Sequence, residues 1–142
     1  MGLDIERIRQ KSSYMLEQVA SIRELLKRKS KEEILADLWL IRGLKYSLQT
    51  SVEAIIDVSY HVAAKVYGYA PKDARDAVHC LVDRGILSQD NEVIYSSMIG
   101  FRNRVVHGYQ EISAERVYEI ADKELDDLLN FVRDINSFVE KL

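Results

Sequence analysis

The chain has few of the features that a sheet protein, a disulfide framework or a membrane span requires. It contains one proline and six glycines in 142 residues, too few for the tight turns between strands, so we predict an all-α fold. A single cysteine, Cys80, excludes an intramolecular disulfide and cannot supply a cysteine-based zinc site alone. We therefore expect Cys80 to be a small core residue.

We also expect no targeting segment, and the sequence has no excess of basic charge. No apolar run approaches the length of a membrane span, and acidic residues stand near the N-terminus where a signal peptide carries basic ones. We therefore predict a soluble, cytoplasmic protein that does not enter a membrane. A net charge of −3 excludes general electrostatic capture of nucleic acid, so a polyanion would need a local patch.

Apolar residues recur at three- and four-residue spacings along most of the chain, which is the pattern of amphipathic helices. With no repeat, linker or low-complexity segment, residues 1–142 are predicted to form one domain, an up-and-down bundle of about five helices. The predicted helices lie in residues 4–26, 31–67, 72–84, 88–107 and 113–142. The second is the longest and carries apolar residues on more than one face, which predicts the bundle's centre or the contact of a homodimer.

Chemically versatile side chains concentrate in residues 101–109. Metal-free RNA cleavage requires a base, an acid and positive charge on the phosphate, and Arg102 and His107 are side chains of the right types. One chain has a single His in this stretch, so the partner acid or base would come from another residue or a second subunit. Five residues apart on a helix, Arg102 and His107 point roughly 140° from each other. They could border one cleft without touching, and a two-fold dimer would bring a second His107 to it. In the alternative interpretation, Arg and His only complement the dipole of a helix C-terminus.

The remaining polar residues indicate structural roles. We expect His61, beside the apolar stripe of the second helix, and His79, on the short third helix, to be hydrogen-bonded core or boundary residues. Neither follows a Glu by three positions, as a di-iron bundle would require. Ser30 and Glu33 match a helix-capping box. The basic cluster in residues 27–31 is typical of a solvated junction. No phosphate loop or Ser/His/Asp arrangement is present, so no cofactor and no metal are predicted.

The segment from Arg102 to Tyr109 resembles the R-x-x-x-x-H-x-Y motif of HepT-like toxins in the HEPN superfamily of small helical nucleases. The long second helical pattern, through residues 40–58, is similar to that family's central helix. Residues 81–86 and 98–101 are also similar to the corresponding segments of the family. The resemblance therefore covers most of the chain.

This resemblance implies a metal-independent endoribonuclease toxin whose RNA-cleaving cleft, lined by Arg102 and His107, lies at a homodimer interface. Asn103 would orient His107 or bind phosphate, and Arg104 is a further candidate phosphate ligand. The implied partner is a minimal nucleotidyltransferase antitoxin that binds the toxin or adenylylates Tyr109. The alternative function is a non-catalytic helical module that binds nucleotides or a protein partner.

Overall fold

The computed structural model describes residues 2–108 and 111–142, and this part of the chain folds into seven α-helices without strands. In chain order they are α1 (Ile5–Arg28), α2 (Lys31–Leu35), α3 (Leu38–Tyr67), α4 (Ala74–Asp83), α5 (Glu92–His107), α6 (Ala114–Lys123) and α7 (Leu125–Glu140). The all-α prediction is confirmed. None of the described helices is both long and apolar enough to cross a membrane.

The long helix α3 is the centre of the bundle, as its apolar pattern predicted. All six other helices pack against it. Its buried residues are Ile41, Leu44, Leu48, Ser51, Val52, Ala54, Ile55, Ile56, Val58, Ser59, Val62 and Ala63. The apolar ones among them join residues of the surrounding helices in one continuous hydrophobic core, which also includes Cys80, as expected. The position of every other helix therefore depends on contact with α3.

The predicted continuous helix over residues 31–67 is wrong, because the chain breaks between α2 and α3. Ser30 and Glu33 form the expected capping box at the start of α2. At Asp37 the backbone is extended, with φ −108° and ψ 103°. Its carboxylate accepts hydrogen bonds from the N–H groups of Trp39 at 2.9 Å and Leu40 at 3.2 Å. The side chain thus caps a new helix where the apolar pattern continues unchanged.

The C-terminal segment is likewise two helices rather than the predicted one, so the described part of the chain has seven α-helices where about five were predicted. The break is at Glu124, where φ is −113° and ψ is 8°. The Glu124 carboxylate accepts a hydrogen bond from Arg116 at 3.0 Å, which links the break to α6. In addition, α4 begins at Ala74 behind the cap residue Asp73, two residues later than predicted.

Helix α5 runs antiparallel to α3, and this direction sets the position of its C-terminal end. Tyr67 at the end of α3 lines one groove with Ser88, which precedes α5. Farther along, Leu48 lines an internal cavity with Met98 and Phe101. The last turns of α5 therefore lie at the end of the bundle where α3 begins.

Substitution of the cap residue tests this account of the break between α2 and α3. Asp37→Ala removes both hydrogen bonds to the first turn of α3, and we expect a loss of about 1 kcal/mol in the free energy of unfolding. Chemical denaturation measures the change. Glu17→Ala, on the exposed side of α1, is the control and should have little effect. Equal stability of the Asp37→Ala chain and the wild type would contradict the capping role.

Candidate active site

The four predicted site residues that the structure describes all lie on the last two turns of α5. Arg102 and Asn103 are partly buried, whereas Arg104 and His107 are exposed. The preceding turns of α5 insert buried side chains into the core, namely Tyr95, Met98, Ile99 and Phe101. The core thus fixes the rotation of α5 about its axis, and with it the directions in which the site residues point.

Helix geometry separates Arg102 from His107, as the sequence predicted. The chain remains helical through His107, so Asn103 and His107, four residues apart, share one face. Arg102 points roughly 140° away from that face. Its Nε–H is buried and has no hydrogen-bond partner in the part of the chain that the structure describes. One chain therefore presents Asn103 with His107 on one side and Arg102 on another.

Gly108 ends the helix directly after His107. It has φ 67° and ψ 16°, in the left-handed region that glycine adopts without strain, and its N–H donates to the carbonyl of Arg104 at 3.0 Å. The predicted helix stop is thus confirmed. His107 is fixed as the last helical residue. Tyr109, the predicted modification site, lies outside the described residues, so its role stays a prediction.

A further arginine, Arg75 on α4, contacts the face of α5 that carries Asn103 and His107. Arg75 donates from Nε to Ser96 Oγ at 2.8 Å and from Nη2 to the Ser96 carbonyl at 3.2 Å. Ser96, Gly100, Asn103 and His107 follow one another at spacings of four, three and four residues, so they share one helix face. Periodicity did not indicate Arg75, because it does not show which α4 side chain crosses to α5. The one feature of the sequence that could have indicated this contact was Gly100, a glycine inside a helical pattern.

The other two histidines are hydrogen-bonded, as predicted, but only His61 lies at the expected boundary of the core, whereas His79 is exposed. His61 Nε2 accepts from the backbone N–H of Asp4 at 2.8 Å, and burial together with the nearby Arg7 lowers the pKa of His61. His79 Nδ1 lies 2.7 Å from Glu92 Oε2, and this hydrogen bond raises the pKa of His79. Both contacts join separate helices or helix ends, which indicates a structural role.

Potential metal ligands do not cluster in the described part of the chain. Among residues 2–108 and 111–142, no group of three or more His, Cys, Asp or Glu side chains could hold a metal ion. The cations at the end of α5 are Arg104 and, when protonated, His107. The chemistry available at this end of the helix is therefore binding of anions and transfer of protons.

Comparison with known proteins identifies the family. The model of the family described as "Ribonuclease HepT-like" matches residues 15–135. The chain belongs to the HepT-like ribonuclease family. One relative is the mRNA nuclease HepT of Shewanella oneidensis, which is 25% identical over 123 residues, covering 83% of this chain and 92% of that protein. The resemblance inferred from the motif is thereby confirmed.

Solved structures show the same fold. A tri-AMPylated HEPN toxin of Shewanella oneidensis, in complex with an MNT antitoxin, matches with a TM-score of 0.83 and 24% identity, over 92% of this chain and 97% of that one. The cytosolic protein YutE of Bacillus subtilis matches with a TM-score of 0.83 and 17% identity, over 98% and 92% respectively. This HepT-like chain therefore has the HEPN helical fold.

Two glycine substitutions with opposite expected effects test how the site helix ends. Gly108→Ala places a Cβ at φ 67°, and we expect a loss of about 1–2 kcal/mol in the free energy of unfolding. Gly43→Ala is the matched control, since that position is inside α3 with no atom within 4 Å of an added Cβ. The control should gain about 0.5–1 kcal/mol. Denaturation shifts of the same sign for both variants would contradict this account.

Proposed function

We propose that this HepT-like ribonuclease is a metal-independent endoribonuclease toxin that acts in the cytoplasm, with His107 as general acid–base and Arg102 as the group that stabilises the phosphate. The observation that carries the proposal is the complete R-x-x-x-x-H spacing at the exposed end of a core-packed helix, in a chain of a ribonuclease family. The core holds the helix, so the reactive groups have fixed directions before RNA binds.

The chemistry needs a proton acceptor, a proton donor and positive charge. A base removes the proton of the ribose 2′-hydroxyl, the 2′-oxygen forms a bond to phosphorus, and the bond from phosphorus to the 5′-oxygen breaks. The departing 5′-oxygen takes up a proton, which leaves a cyclic phosphate and a 5′-hydroxyl. Arg102 would stabilise charge on the phosphoryl oxygens, with Arg104 as a further phosphate ligand, and Asn103 would orient His107 or bind phosphate.

One chain supplies a single His107, so we propose that a second copy in a homodimer completes the cleft. Exposed apolar side chains support this. Leu38, Trp39 and Tyr46 on the first turns of α3 are 58%, 74% and 62% exposed, and Val106 beside His107 is 46% exposed. Because α5 ends where α3 begins, these side chains and His107 lie at the same end of the bundle. Apolar surface of this kind is typical of an interface.

Arg102 as a whole is only partly buried, although its Nε–H is closed to solvent and has no acceptor among the described residues. An RNA phosphate or a polar group of the second copy would therefore bind the terminal N–H groups of the guanidinium and not the Nε–H. The direction of Arg102, away from the His107 face, fits a cleft whose two sides come from two chains.

We further propose that an MNT-type nucleotidyltransferase antitoxin binds this chain and adenylylates Tyr109. The Tyr of the R-x-x-x-x-H-x-Y motif is present two residues after His107. The related Shewanella oneidensis toxin is tri-AMPylated in its complex with an MNT antitoxin. A bulky, anionic adenylate beside His107 would oppose RNA binding through both its size and its charge.

Removal of the His107 imidazole tests the proposed reaction. Wild type incubated with total RNA and a chelator should produce cyclic phosphate ends, whereas His107→Ala should lose cleavage by at least about 100-fold, since it lacks the proton-transfer group. His79→Ala is the control, because it removes another exposed imidazole and should retain cleavage. Mapping of the cut ends measures the result.

Three outcomes would contradict the proposed reaction. Equal cleavage by wild type and His107→Ala would show that His107 is not the proton-transfer group. No cleavage by either chain would favour the non-catalytic alternative, in which the Arg and His side chains only bind or complement the end of α5. A wild-type chain that cleaves only after a divalent metal is added would refute metal independence.

Mass spectrometry tests the modification. After co-expression with an MNT-type nucleotidyltransferase, we expect adenylate on the peptide that contains Tyr109, and none on that peptide in a Tyr109→Phe chain. The exposed Tyr69 serves as an internal control and should remain unmodified. Adenylate found only on tyrosines other than Tyr109 would contradict the assignment.

A further inference from the structure

We propose that Arg75, which lies outside the R-x-x-x-x-H motif, is an RNA-binding residue of this site and holds a substrate phosphate beside the one that is cleaved. This inference rests on the proposed function, because it assumes that RNA lies over His107. It adds an α4 residue to a site so far built from α5 alone.

The guanidinium of Arg75 is held in place by neutral groups. Its described contacts are with the hydroxyl and the carbonyl of Ser96, at 2.8 Å and 3.2 Å. Every polar contact of Arg75 within the described residues is thus to Ser96, and no carboxylate pairs with it there. A guanidinium carries five N–H donors in a planar fork, so donors remain after these two bonds. The positive charge is thus oriented but not neutralised.

The Arg75 guanidinium lies on the same face of α5 as the proposed site residues Asn103 and His107. Gly100, Asn103 and His107 lie along one face of α5, and Gly100 precedes His107 by seven residues, or roughly 10 Å along the helix. The Arg75 guanidinium lies at Gly100. An RNA strand that follows this face would therefore meet Arg75 first, then Asn103 and finally His107.

Gly100 makes room for the guanidinium. A Cβ built on Gly100 would lie 2.9 Å from Arg75 Nη2, closer than ordinary contact. No other atom was found within 4 Å of that Cβ in the described structure, outside the adjacent residues and nearby helix backbone. Glycine inside a helix is unfavourable relative to alanine. Glycine at this position thus lowers the intrinsic stability of the helix but leaves room for the Arg75 guanidinium next to α5.

Salt dependence of RNA binding distinguishes a phosphate contact from a purely structural link between α4 and α5. Binding of a single-stranded RNA oligonucleotide is measured in a His107→Ala background, where the RNA stays intact. Adding Arg75→Ala should weaken binding and reduce the slope of log affinity against log salt by about 0.7, the value for one phosphate contact to a single strand. Arg75→Lys keeps the charge and should retain most of the slope.

Arg84→Ala is the matched control. Arg84 directly follows α4 at its other end, roughly 13 Å from Arg75 along the helix. Helix α4 runs antiparallel to α5, since Arg75 contacts Ser96 while His79 contacts Glu92. Arg84 therefore lies beyond the start of α5, on the side away from His107. Its removal should leave the slope unchanged. An unchanged slope in Arg75→Ala, or the same reduction in Arg84→Ala, would overturn the proposal.

A double-mutant cycle adds a second, independent readout. Gly100→Ala should displace the guanidinium and weaken RNA binding when Arg75 is present, but have no effect on binding in an Arg75→Ala chain. Equal effects in both backgrounds would contradict the proposal. These experiments measure RNA binding without cleavage, so they can fail independently of the proposed function. The proposed function fails if the wild type does not cleave RNA in a His107-dependent manner.

Discussion

Burial of α3 is the constraint on which the rest of the structure depends. Twelve of its thirty residues are buried, and the six other helices each pack against it. Because apolar burial is the main favourable contribution to folding, a helix with apolar residues on several faces requires neighbours on several sides. The antiparallel packing of α5 follows from this requirement. It brings the end of α5 that carries His107 to the start of α3, where Trp39 and Tyr46 are exposed.

The same packing fixes the separation of Arg102 from His107, from which we propose that a single chain holds only part of a site. Met98, Ile99 and Phe101 are buried, which fixes the rotation of α5 about its axis and the directions in which Arg102 and His107 point. A five-residue separation on a regular helix then holds the two side chains apart. The arrangement is consistent with a cleft completed by a second copy, and Arg75 extends the proposed RNA path in the opposite direction, toward the start of α5.

The sequence predicted those helices and helix ends that are determined by residues close together in the chain. Periodicity indicated the extent of α1, the pair Ser30 and Glu33 indicated the start of α2, and Gly108 indicated the end of α5. The motif then placed Arg102 and His107 on the last turns of that helix. The breaks at Asp37 and Glu124 were not predicted, because the apolar spacing continues through both. A side-chain cap at Asp37 and a turn at Glu124 interrupt the helices there.

Contacts between distant residues could not be predicted in the same way. The hydrogen bond from Arg75 to Ser96 joins residues 21 positions apart, and the one between Asp4 and His61 joins residues 57 positions apart. Each depends on how two helices cross, which periodicity within one helix does not specify. The candidate site was therefore located by its motif, whereas its contribution from α4 became visible only in the folded chain.

The central claim is that the cleavage site requires His107 from two copies, and a subunit-mixing measurement tests it most directly. Wild-type chains are unfolded and refolded with increasing amounts of His107→Ala chains, and RNA cleavage is measured per wild-type chain. A shared site predicts that this activity falls with the fraction of dimers that hold two wild-type chains. Constant activity per wild-type chain at every ratio, with mixed dimers shown to form, would contradict the claim.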